Sequence, residues 1–193
     1  QDQIISNEIA SHCKSICDKY NIEYIFKASY KKANRTKSDS FTTIGVEKAL
    51  NIIEKVKENY DILTMTDVHE SKDVNFVSNY VDIAQIPAFL CRQTDLIVEA
   101  SKNFHTINIK KGQWMSHQNM TYAKEKTKGV DSICKRVFLT ERGNVFGYNS
   151  LVIDFPRISS MKENDTEVIV DCTHATQVIN NFEGVSGGNS SFV

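Results

Sequence analysis

Short apolar runs rich in β-branched and aromatic residues alternate in this chain with longer helix-period segments, and nearly every run is followed at once by polar or charged residues. That rhythm narrows the fold more than any other feature. The spacing predicts helices over Ser6–Lys19, Gly45–Asn59, Lys72–Asn79, Gln93–Asn103 and His117–Lys128. It predicts strands over Tyr24–Ala28, Ile62–Thr66, Ile83–Ile86, Thr106–Lys110, Arg136–Thr140 and Glu167–Asp171, with a shorter apolar run at Leu151–Phe155. Alternation of this kind implies right-handed βαβ units and a parallel sheet. Gly143–Asn149 reads as a loop and Gly184–Val193, rich in Gly, Ser and Asn, as a mobile tail. With only two prolines, no low-complexity tract and no break in composition, a single domain over residues 1–193 is expected.

The polar residues that follow the strands decide between an open sheet and a barrel. Lys27, Ser29 and Lys32 follow the first strand, and Asp67, His69 and Glu70 the second. The third ends in Gln85 and leads to Arg92; the fourth ends in Lys110 and leads to Gln113; the fifth leads to Arg142; the last ends at Asp171, His174 and Gln177. An open doubly wound sheet would gather its ligand at one switch point. Contributions from every strand exit are what the top face of a (β/α)8 TIM barrel offers, so the fold class expected is α/β, of that barrel type. Such a barrel has eight strands in about 250 residues. The 193 residues here carry six secure strands, so the expectation is a barrel lacking its first and last strands and incomplete at both ends. Two open strand edges would then be an aggregation hazard.

The segment from Phe26 to Thr36 concentrates chemistry. Lys27, Lys31, Lys32 and Arg35 fall within nine residues, directly after the apolar run Ile22 to Phe26. A strand interior has no use for them, so they belong at the strand exit, where an anion or solvent compensates them. Formal net charge is only −1, which makes the cations local clusters and argues against general nucleic-acid binding in favour of a small anionic ligand. Gln1-Asp2-Gln3 lacks a signal peptide's basic start, and no apolar run approaches ~18 residues, so no membrane span and a cytoplasmic location are expected. The five cysteines, Cys13, Cys17, Cys91, Cys134 and Cys172, form no C-x-x-C pair and read as reduced thiols.

Five ordered motifs, F-K-A-S-Y-K-K-A-N-R-T, T-D-V-H-E, Q-I-P-A-F-L-C-R-Q-T-D-L, N-I-K-K-G-Q and D-C-T-H-A-T-Q, span nearly the whole chain, and through them it resembles the 3-deoxy-D-manno-octulosonate 8-phosphate synthase family. The resemblance implies a (β/α)8 barrel, a homotetramer, and condensation of phosphoenolpyruvate with arabinose 5-phosphate, with release of phosphate, in lipopolysaccharide sugar synthesis. On the family's strand order, the strands here match the second to the seventh.

The reaction needs two anion sites. Arg92, Lys110 and Arg142 are the candidates for the phosphate of phosphoenolpyruvate, because guanidinium forks suit phosphate and three strand exits can converge on one anion. Lys32 and Ser29, with Lys27 and Gln113 nearby, are the candidates for its carboxylate, and Gln85 and Gln177 are further substrate-binding candidates. Any one of these cations taken singly reads as a solvated surface charge; agreement among six strand exits lowers that reading. Asn34, Arg35 and Thr36 are the candidates for the sugar phosphate, and the resemblance implies that a neighbouring subunit delivers them. Read alone, N-R-T is equally a polar turn.

Catalytic candidates are Lys27, Lys32, Asp67, His69 and His174. A histidine shuttles protons near neutral pH, and a neighbouring carboxylate can orient it and raise its pKa, as Asp67 would for His69. His12, His105 and His117 read as structural or exposed. The family divides into metal-dependent and metal-independent members, and His174 matches the metal-ligand histidine of the first kind. A divalent ion (Zn, Fe or Mn) therefore stays open, although one histidine does not make a site, and Cys172 adds only a minor candidate. Thr36 stands where serine is usual, Gly112 where proline is, and Trp114 where phenylalanine is. Two alternatives remain: a sister synthase using erythrose 4-phosphate or an amino sugar, and a truncated barrel that binds a phosphorylated metabolite without turnover.

Overall fold

The computed structural model describes residues 2–35, 37–179, 187–188, 191 and 193. Helix α1 (Gln3–Lys19) begins three residues before its expected start, because Asp2 caps it: the Asp2 carboxylate accepts the Ile5 N–H at 3.0 Å. Ile4 and Ile5 stay exposed, so no buried periodicity marks that turn in the sequence. There follow β1 (Ile25–Lys27), α2 (Val46–Tyr60), β2 (Leu63–Asp67), α3 (Ser71–Val77), β3 (Ile83–Ile86), a 3-10 turn (Ala88–Leu90), α4 (Thr94–Asn103), β4 (Thr106–Lys110), α5 (Met120–Glu125) and β5 (Arg136–Glu141). Beyond β5 come β6 (Asn144–Phe146), β7 (Ser150–Val152), α6 (Phe155–Met161), a second 3-10 turn (Glu163–Asp165), β8 (Glu167–Val170), α7 (Cys172–Ala175), β9 (Gln177–Val178) and β10 (Gly187–Gly188).

Three expectations need correction. Gly143–Asn149 is not a plain loop: β6 and β7 form an antiparallel hairpin in which Val145 faces Leu151, and Gly143 (φ +92°) and Gly147 (φ +67°) supply its left-handed positions. The apolar run Leu151–Phe155 is divided, since β7 ends at Val152 while Phe155 and Pro156 open α6, where proline's missing N–H does no harm. Helix α5 is shorter than His117–Lys128 because the residues before it bond in tight turns, Met120 N–H to His117 O and Thr121 N–H to Gln118 O, both 3.1 Å. The expected mobile tail lies largely outside the described residues, apart from the pairing of β10 with β9.

The main sheet is parallel, curled, and ordered β1-β2-β3-β4-β5-β8. Order in space follows order in the chain, with no reversal of the kind that makes a switch point, as in a segment of a TIM-type barrel wall. Side chains alternate between its faces. Ala84, Ile86, Ile107, Ile109 and Leu139 join Leu50, Ile53 and Val56 of α2 and Leu96 and Ile97 of α4 in the core between sheet and helices. The alternate positions, Met65, Asp67, Gln85, Asn108, Lys110 and Thr140, face the concave side and grow polar towards the strand exits. Among the described residues no helix is long and apolar enough to cross a membrane.

Candidate active site

A cavity of about 780 Å³ opens at the carboxyl ends of the parallel strands. Each strand ends by delivering a polar side chain to it: Lys27 from β1, Asp67 from β2, Gln85 from β3, Lys110 from β4, Arg142 immediately after β5, and His174 from α7 beyond β8. Lys32, Asn34, Arg35, His69, Gln113 and Gln177 complete the expected residues in its wall. Ser29 is buried beside them through its hydrogen bonds. Arg92 is exposed and stands outside the lining, so of the three cations expected on one phosphate, Lys110 and Arg142 line the cavity. Thr36 lies outside the described residues.

On the β1–β2 side, Asp67 is the hub. Its carboxylate accepts from Lys27 Nζ at 3.1 Å, from Ser29 Oγ at 2.5 Å and from Gln85 Nε2. Burial alone would raise its pKa, but the Lys27 charge and the three hydrogen bonds overcome that and hold it at about 2. Ser29 Oγ in turn accepts from Lys32 Nζ at 2.9 Å. Lys32 makes no salt bridge among the described residues, and burial first, then the Lys27 charge, pushes its pKa down. Asp67 does not orient His69 as expected. Its oxygens are taken by the other three groups, the His69 Nδ1 is buried without a hydrogen-bond partner among the described residues, and its ring packs edge-on against Tyr30. Desolvation outweighs the Asp67 charge and lowers the pKa of His69, which is therefore neutral near pH 7.

Across the cavity, Arg142 is only 4% exposed and makes no salt bridge among the described residues. Its Nη1 donates to Gln113 Oε1 and its Nη2 to Gln177 Oε1 at 3.0 Å, while Nε is buried without a hydrogen-bond partner among the described residues. Burial lowers its pKa despite the Asp171 and Glu141 charges. A buried guanidinium held by two neutral amides keeps its charge without a direct counter-ion and is chemically suited to an anion. Lys110 Nζ donates to Asp171 Oδ2 at 2.6 Å, and burial lowers its pKa more than Asp171 raises it.

Asp171 also lies 2.8 Å from His174 Nδ1 and accepts the His174 backbone N–H at 3.0 Å. Burial pushes the Asp171 carboxyl up, but His174 and the Lys110 charge hold it well below the usual carboxylate range, and His174 Nε2 makes no hydrogen bond among the described residues. Among the described residues no three His, Cys, Asp or Glu side chains converge as a metal would require, and Asp171 is committed to Lys110.

Sequence reasoning missed the supporting groups. Behind the first layer, Thr140 Oγ1 donates to Asn108 Oδ1 at 2.6 Å and Asn108 Nδ2 to Gln85 Oε1 at 3.0 Å, so a buried chain of amides runs across the sheet to Asp67. Adjacent charged pairs, Lys110-Lys111 and Glu141-Arg142, were a readable signal, since strand alternation sends one member of each behind the wall.

The curled parallel sheet, with polar and cationic side chains at its strand exits, is that of a partial TIM-type barrel, and the chain belongs to the DAHP synthetase I family, whose model matches residues 1–185. Within it, this chain is similar to 2-dehydro-3-deoxyphosphooctonate aldolases. The one from a Cyanothece species is 41% identical over 186 residues, covering 96% of this chain and 67% of its own. The Wolinella succinogenes protein is 42% identical, over 100% of this chain and 76% of its own, and a Campylobacter jejuni protein is 43% identical over 96% and 72%.

Proposed function

We infer that the protein condenses phosphoenolpyruvate with D-arabinose 5-phosphate and water to give 3-deoxy-D-manno-octulosonate 8-phosphate and inorganic phosphate. The observation that carries this reading is one cavity with five cations, Lys27, Lys32, Arg35, Lys110 and Arg142, and one lining carboxylate, in a chain about 40% identical to the aldolases over nearly its whole length. The charge imbalance suits two small polyanions. In the reaction, C3 of phosphoenolpyruvate attacks the sugar aldehyde, water adds at C2, and the C2–O bond to phosphate breaks.

In this reading Arg142 and Lys110 hold the phosphate of phosphoenolpyruvate, and Lys32 with Ser29, Lys27 and Gln113 hold its carboxylate. Asn34, Arg35 and Thr36 take the sugar phosphate. His174, with Nδ1 on Asp171, exchanges a proton through Nε2, and neutral His69 polarises the aldehyde side. The reading takes the described strands as one domain belonging to a (β/α)8-type barrel, in a cytoplasmic homo-oligomer; the sequential strand order, with β1 and β8 as the two edges, supports the barrel.

Replacing Arg35 by alanine is expected to raise the KM for arabinose 5-phosphate about 10- to 100-fold, the loss of a charge-assisted bond to phosphate, with phosphoenolpyruvate KM changed by less than about 2-fold. Equal losses for both substrates in steady-state kinetics would contradict separate sites. The lowered pKa of Lys32 makes a second expectation. A protonated Lys32 attracts the carboxylate, and it loses its proton below the ~10.4 of an ordinary lysine. The affinity for phosphoenolpyruvate should therefore weaken as pH rises through that lowered value, and in Lys32→Arg the alkaline limb should move upward; an unmoved limb removes Lys32 from the anion site.

A further inference from the structure

Behind the wall that carries Lys110 and Arg142 lies a second set of charges with no access to substrate. Lys111 and Glu141 are both 0% exposed and His117 is 4% exposed. Glu141 Oε1 lies 3.4 Å from Lys111 Nζ, and Oε2 lies 2.7 Å from His117 Nε2, a close approach without hydrogen-bond geometry. Lys111 Nζ also donates to Asn144 Oδ1 at 2.6 Å. Burying an ion pair this completely is a poor source of stability, since desolvation offsets most of the attraction and apolar replacements are often as stable. Its use must be sought in what it holds.

Two of its members adjoin anion-binding candidates in the chain. Lys111 follows Lys110, and Glu141 precedes Arg142. The Glu141 carboxylate accepts the N–H of Gly143, so it brackets Arg142 and fixes the turn that follows. At that turn φ is +92° and an added Cβ would come 3.1 Å from Leu151 Cβ. The Glu141 carbonyl accepts the Asp171 N–H at 2.8 Å, tying β5 to the exit that bears His174. Through Lys111 and Asn144 the cluster also holds the start of the β6–β7 hairpin, whose Val145 N–H donates to Gln113 O at 2.8 Å. Gln113 is one of the two amides that grip Arg142.

We propose that Glu141, in its buried cluster with Lys111 and His117, is a positioning residue that sets the Arg142–Gln113 grip on the phosphate of phosphoenolpyruvate. The role rests on the synthase reading above for the identity of the anion. Binding can be followed without turnover, because Trp114, the single tryptophan, adjoins Gln113 and packs at a tilt against Phe89 of the cavity wall, 5.6 Å between ring centroids.

The test is a fluorescence titration of the full chain with phosphoenolpyruvate, for wild type, Glu141→Gln, and the charge-free pair Lys111→Met with Glu141→Gln, alongside thermal unfolding and steady-state kinetics. Glu141→Gln is expected to weaken phosphoenolpyruvate binding about 10-fold or more and to lower Tm, leaving the buried Lys111 unpaired. The double variant should recover Tm yet keep the weakened binding, with the KM for arabinose 5-phosphate unchanged. If the double variant binds phosphoenolpyruvate as wild type does, the cluster is structural only and the proposal falls; it falls equally if wild type shows no saturable quenching. Tight wild-type binding without phosphate release would overturn the synthase reading alone and leave the positioning claim to be judged on the binding series.

Discussion

Replacing Arg142 by alanine is expected to weaken phosphoenolpyruvate binding about 100-fold or more, on the order of 3 kcal/mol, while arabinose 5-phosphate KM stays near its wild-type value. The size of the effect follows from the setting. Arg142 is buried, donates to the neutral oxygens of Gln113 and Gln177, and makes no salt bridge among the described residues, so a phosphate that arrives there meets a desolvated cation whose only anionic influences, Asp171 and Glu141, act without a direct contact. Arg142→Lys should recover only part of the loss, because an ammonium cannot reproduce a two-point contact with phosphate. Unchanged affinity in Arg142→Ala, measured by the same titration, would take the phosphate off this side of the cavity.

Asp67→Asn is expected to be the most damaging single change at the other end of the cavity. It removes the charge on which Lys27 Nζ, Ser29 Oγ and Gln85 Nε2 converge, and through Ser29 it loosens Lys32. Misplacing the groups around a reacting centre by an ångström costs ~100-fold, and turnover is expected to fall by that order even with both substrates saturating. Stability should fall as well. The folded-state pKa of about 2 lies below the usual ~3.9, so the ionised carboxylate contributes about 2.5 kcal/mol, fully present above the unfolded value and lost as pH falls through the folded one. In Asp67→Asn the acid limb of a Tm–pH curve should lose that component, and an unaltered acid limb would show that Asp67 is not held as described.

Much of this was legible because strand exits announce themselves. Ile83–Ile86 and Thr106–Lys110 have the expected boundaries, since Pro87 stops the first and the Lys110-Lys111 pair the second. Twelve of the fifteen expected site residues line the cavity, because a residue's position just beyond a strand already fixes the face it reaches. Other features depended on contacts distant in sequence. Asp67 and His69 are two residues apart, and adjacency suggested a pair, but Gln85, Ser29 and Lys27 occupy the carboxylate first. The β6–β7 hairpin hides in a segment whose glycines look like loop; the left-handed Gly147 between two short apolar runs was the available sign. Glu141 and His117 meet only in the fold, across 24 residues of chain, and neither pattern nor propensity links them.

The central claim is best tested by phosphate release from phosphoenolpyruvate, measured with arabinose 5-phosphate and separately with erythrose 4-phosphate, since the family model carries the name of a DAHP synthetase. The account predicts release with the pentose phosphate and little or none with the tetrose phosphate. Release with erythrose 4-phosphate alone, or with neither sugar from folded protein that still binds phosphoenolpyruvate, would contradict it.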